Sequence, residues 1–188
     1  MSAFYLSSGI FLLGLIIQVF YERSSARSKS WVKFLFFGSA GAVFLYYVFL
    51  TVAQYFVWKT NGAPYVYFLP PHKSIFYLLN HHFIRFGLYY LISFGIAVLF
   101  LYFSKRFNKK KGFKFFESEE PYFGALSIFL LGNPNWYWGW VWYLLLIAVF
   151  SLSFSFVREK FFGIKERMSL YSLWLPVGIL VILINVVI

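Results

Sequence analysis

Apolar and aromatic side chains run along this chain in long blocks, and polar positions gather in short breaks between them. The first block, positions 3–21, reads AFYLSSGIFLLGLIIQVFY and makes a helix of roughly 27 Å, enough to cross a bilayer core. The seven residues after Met1 carry no charge. The block is therefore read as an uncleaved span, since a signal peptide wants a basic start and a shorter core. The second block, 34–58, opens with the small residues Gly38, Ser39, Ala40, Gly41 and Ala42. Such spacing lets helix backbones approach closely in lipid. The face of Gly38, Gly41 and Ala42 is expected to pack within the chain or, alternatively, against a second copy or a membrane-protein partner.

Positions 59–82 interrupt the pattern. Asn61-Gly62 and Pro70-Pro71 are breakers, and the apolar pieces YVYFL and SIFYLL are too short to span. They are expected at the interface, with Ser74 capping a helix that leads into the third span, 83–103. After a basic stretch, Ser118-Glu119-Glu120-Pro121 predicts a helix start: a hydroxyl cap, acids in the first turn and an early proline. The fourth span, 119–131, is short, because Gly132-Asn133-Pro134-Asn135 stops it. The fifth, 136–157, begins with Trp136, Trp138, Trp140 and Trp142, and the sixth is 168–188. The pattern thus predicts an all-α polytopic bundle over 1–188, a single membrane domain of about six transmembrane helices. An interfacial segment lies between spans two and three.

Composition agrees with a bilayer. Apolar residues make up 61% of the 188, aromatics 26% and charged residues 12%. A soluble domain of this size has too little interior for so much apolar surface. The net charge of +11 changes the picture in another way. It is not spread along a polar face as in nucleic-acid binders, so no nucleic acid is expected. Fourteen of the seventeen Lys and Arg fall in three loops, 22–33, 104–118 and 158–167. Positive residues favour the cytoplasmic side. Six spans place all three loops there, in a cell membrane, with both termini outside. Five spans would split them.

Candidate chemistry is sparse. There is no Cys and no Asp, which excludes disulfides, thiolate metal sites, Asp dyads and Ser-His-Asp triads. Membrane proteases of the prepilin-peptidase type need two aspartates, and those of the rhomboid type need Gly-x-Ser-Gly; neither pattern occurs. The glutamate pair lacks the Arg that follows it in the membrane CAAX-protease-like family. The Asn133-Pro134-Asn135 turn resembles one of the paired Asn-Pro-Ala turns of aquaporins, but it occurs once and serves as a helix–helix turn. Two polar groups remain. His81, His82 and Arg85 lie within one helical turn near the outer end of span three, close to His72, and suit an anion or headgroup better than a metal. Glu117, Glu119 and Glu120 form an acidic helix start, explained by the helix dipole and by pairing with the basic run. No catalytic residue, cofactor or metal site is expected.

Few polar groups for chemistry favour a non-catalytic subunit or a binding and assembly module of an inner-membrane complex. The alternative is a small transporter or substrate-binding subunit. By length and span count the chain resembles the six-helix substrate-binding subunits of energy-coupling-factor transporters, which implies an outer polar cavity at His81, His82 and Arg85. A third reading is a lipid-headgroup-modifying enzyme working through Glu119 or Glu120.

Overall fold

The computed structural model describes residues 2–20, 26–112, 115–136, 138–163 and 169–187. Among them there is no strand. Helices α1 (Ser2–Phe20) and α2 (Ala26–Thr60) are followed by a short 3-10 turn at Tyr65–Phe68. Helix α3 (Ile75–His82) runs through a wider π turn at Phe83–Gly87 directly into α4 (Leu88–Lys110). Then come the short α5 (Glu120–Leu130), α6 (Gly139–Phe162) and α7 (Trp174–Val187). The basic residues Arg23, Lys114, Lys165 and Arg167 fall outside the described residues.

Three helical stretches are long and apolar enough to cross a membrane: Ser30–Thr60, Ile75–Lys110 and Gly139–Phe161. Phe4–Phe20 and Trp174–Asn185 are shorter apolar helices. The long helices present large apolar side chains outward, among them Phe44, Leu99 and Leu152. A surface of that kind needs an apolar surrounding, which lipid supplies. Glycines in the left-handed region end two of them. Gly112, at φ 65°, closes α4, and Gly163, at φ 64°, closes α6 with its N–H on the Glu159 carbonyl at 3.2 Å.

The stretch between α2 and α4 has two parts. Its first half folds back, so that Trp58, Leu69 and Leu78 form a small satellite core with Tyr55 and Phe68 against it. Its second half is the helix expected to lead into the third span. Because α3 joins α4 without a break, residues 75–110 form one helix of roughly 54 Å, well beyond the bilayer core. Ser74 precedes it, but its side chain makes no capping hydrogen bond.

The centre of the molecule is α5. All eleven of its residues are buried, and α1, α2, α4, α6 and α7 surround it. At about 16 Å it is too short for a bilayer. Protein shields it on every side. Backbone contact here is close. A Cβ on Gly124 would come within 2.7 Å of the Phe100 ring, and one on Gly178 within 2.7 Å of the Phe11 ring. In the small-residue stretch of α2, Ser39 is buried and Ala40 packs against the core, but the two glycines do not share this role. Gly38 and Gly41 are exposed, and a Cβ on Gly41 would meet nothing within 4 Å. Packing within the chain therefore uses other glycines than the sequence pattern suggested.

Candidate functional site

Helix α4 ends in a buried Asn108 that shapes the connection to α5. Its Oδ1 accepts the N–H groups of Phe115 and Phe116 at 2.9 Å each, and its Nδ2 donates to the Phe116 carbonyl at 2.8 Å. An amide carries both donors and an acceptor, so it can replace backbone partners that an irregular chain lacks. The clamped loop delivers Glu117, Ser118 and Glu119 to the start of α5.

The acids do not behave as a solvated helix start. Glu119 and Glu120 have 0% exposure, and Glu117 is half-buried. Ser118 is not the cap. That position falls to Glu119, which makes no side-chain capping bond, and the Ser118 hydroxyl donates instead to Glu119 Oε2 at 2.7 Å. The reach-back comes from Glu120, whose Oε2 accepts the Glu117 N–H at 3.3 Å. Lys105 places its ammonium 2.7 Å from the Tyr122 hydroxyl and 4.2 Å from that ring's centre.

A residue far along the chain completes the cluster. Ser169 Oγ lies 2.7 Å from Glu117 Oε1 and 2.8 Å from Glu120 Oε1, and it accepts the Tyr171 N–H at 3.3 Å. A hydroxyl has one proton to donate and two lone pairs. Ser169 can therefore donate to only one of the two carboxylates at a time while it accepts the Tyr171 N–H. Glu119 Oε1 and Glu117 Oε2 are buried and have no hydrogen-bond partner. The positive end of the α5 dipole points at this group and favours negative charge there.

A second polar knot fixes the opposite end of α5. The hydroxyls of Ser7 and Tyr90 are 2.6 Å apart, with Asn133 Nδ2 3.5 Å from Ser7 Oγ. Ser93 Oγ donates to the Phe129 or the Tyr90 carbonyl, each at 3.1 Å. In between, Ser127 and Tyr143 both donate to the Trp174 carbonyl, at 3.3 and 3.1 Å. Near the other end of α1, the Gln18 amide reaches the Tyr171 carbonyl.

The histidine rings pack on aromatic neighbours and on each other. The His81 ring packs edge-on against Trp58 at 5.4 Å and His82 at 5.3 Å, while His72 sits on Tyr67 at 5.0 Å. Arg85, on the π turn, is exposed. The groove at this end, about 560 Å³, is lined by Tyr47, Lys73, Tyr77 and Asn80 among others, and by none of His81, His82 or Arg85. Among the described residues no three His or Glu side chains are placed to hold a metal ion.

Neither Ser169 nor Asn108 carries a signal in the sequence. Ser169 lies 49 residues from Glu120, and Asn108 is hidden within a run of Lys and Arg. No protein-family model, curated protein or solved structure matches the chain.

Proposed function

We propose that this chain is a six-span membrane protein whose Glu117, Glu119, Glu120 and Ser169 perform acid–base chemistry on a substrate arriving at the cytoplasmic lipid boundary. The observation that carries this reading is Glu119, which has 0% exposure and a carboxylate oxygen without a partner. Burying an unsatisfied carboxylate costs several kcal/mol by order of magnitude, and a chain gains nothing in packing from it. Ionisable groups held at such cost inside membrane proteins mark working sites. Lipid headgroups are the substrate class within reach, since the cluster stands where the apolar part of α4 gives way to its Lys- and Arg-rich end. In this reading Glu119 is the base, and Ser169 positions Glu117 and Glu120 beside it.

The test is incubation of the purified protein with defined phospholipids and detection of altered headgroups by mass spectrometry. Turnover is expected, with a loss of at least about a hundredfold in Glu119→Gln, the usual scale of an acid–base contribution. A wild-type protein that converts none of the phospholipids would refute the assignment.

One observation favours a second reading, the non-catalytic assembly module. Gly38 and Gly41 face outward on α2, open to a partner helix. Co-purification in mild detergent that is lost in a Gly41→Leu variant supports it; a partner-free monomer opposes it.

A further inference from the structure

Phe103, Arg106, Phe107 and Lys110 stand at positions i, i+3, i+4 and i+7, so they form a single stripe down the last turns of α4. The stripe is one wall of a groove of about 520 Å³, and the other wall is Phe115 and Phe116. The two walls are locked together. Phe107 and Phe115 meet edge-to-face at 4.8 Å, as do Phe115 and Phe116, and Asn108 clamps the backbone of both phenylalanines. Arg106 is also held, with its Nη1 donating to the Tyr102 hydroxyl at 2.9 Å. The groove is therefore built before anything enters it.

Its chemistry changes along its length. The end nearer the middle of α4 is aromatic, with Phe103 61% exposed on a helix that is long and apolar enough to cross a membrane. The far end carries the two cations Arg106 and Lys110. An occupant must be apolar at one end and anionic at the other, and it must approach from the bilayer. We propose that this groove binds an anionic phospholipid, with acyl chains along Phe103 and Phe107 and the phosphate between Arg106 and Lys110. An acidic peptide or a nucleic acid would satisfy the cations but leave the aromatic half unfilled. The proposal relies on the membrane assignment and not on the carboxylate chemistry. Even so, the wall formed by Phe116 is directly followed in the chain by Glu117, so a bound lipid stands next to the loop that carries the acids.

The experiment uses the whole protein in nanodiscs of phosphatidylcholine with or without phosphatidylglycerol, with lipid adducts counted by native mass spectrometry. Phosphatidylglycerol should be retained after phosphatidylcholine is stripped. Arg106→Gln with Lys110→Gln should weaken that retention about thirtyfold, at roughly fivefold per juxtamembrane charge. Arg158→Gln with Lys160→Gln removes the same net charge from the end of α6 and should leave retention near wild type. Arg106→Lys with Lys110→Arg, which keeps both charges, should retain the lipid. Equal retention of the two lipids by wild type, or equal losses from the groove pair and the α6 pair, would overturn the proposal. Glu119→Gln should leave retention unchanged, which separates this outcome from any failure of the acid–base reading.

Discussion

Ser169 Oγ lies 2.8 Å from Glu120 Oε1 across 49 residues of sequence, joining the segment before α7 to the first turn of α5. The same hydroxyl serves Glu117, so its removal strips a partner from two carboxyl groups at once. Ser169→Ala is expected to destabilise the protein by about 1–3 kcal/mol, the penalty for a buried polar group left unsatisfied. Ser169→Thr keeps the hydroxyl and should stay close to wild type. Thermal unfolding in detergent measures both, and an alanine variant as stable as wild type would show that the carboxyl pair needs no bridge.

Asn108 makes three hydrogen bonds to the loop that brings the acids to α5. At roughly 1 kcal/mol each, Asn108→Ala should cost about 3 kcal/mol. Because the clamp shapes the lipid groove as well as the acid loop, the same variant should also release phosphatidylglycerol in native mass spectrometry. Loss of stability with full lipid retention would place the groove's rigidity elsewhere.

Glycines separate packing inside the chain from surfaces outside it. A Cβ at Gly132 would overlap the Ser93 hydroxyl, while one at Gly41 meets nothing. Gly132→Ala should therefore destabilise by about 1–3 kcal/mol through overpacking, with partial recovery when Ser93→Gly is added. Gly41→Ala should be neutral, or stabilising by up to about 1 kcal/mol through helix propensity. The ranking of melting midpoints checks the pair, and a Gly132→Ala protein that melts with wild type contradicts the close approach of α4 and α5.

The sequence pattern carried the helices well where apolar runs were long, as in α2, α4 and α6, because a long unbroken apolar run is legible from local sequence alone. It was blind to the burial of α5. Lipid tails are as apolar as leucine, so a run such as Tyr122 to Leu131 reads the same whether protein or lipid surrounds it. The acids were visible by type and spacing, and the helix dipole gave them a sufficient explanation at the surface. Their burial depends on Ser169 and on five enclosing helices, all contacts between distant parts of the chain that no local spacing encodes. The small residues Gly38 and Gly41 misled for a related reason: spacing shows that a close approach is permitted, and only the assembled bundle shows that Gly124, Gly132 and Gly178 are where it happens.

Membrane orientation provides the widest test, because the acid–base reading needs Glu119 on the cytoplasmic side. Loops 22–33, 104–118 and 158–167 hold fourteen of the seventeen basic residues, and six crossings put them together on that side. The short α5 can count as a crossing because five helices enclose it, so bilayer thickness sets no minimum for its length. If α5 did not cross, the basic residues of 158–167 would sit outside, against the positive-inside bias. Reporters fused after Ile188 and within 104–118 distinguish the two arrangements. Alkaline phosphatase should be active at the first site and green fluorescent protein at the second. Fluorescence at both would mean an even number of crossings between the two sites, so that α5 does not cross, and alkaline phosphatase activity within 104–118 would remove the topological support for every cytoplasmic role assigned to the Glu119 end of α5.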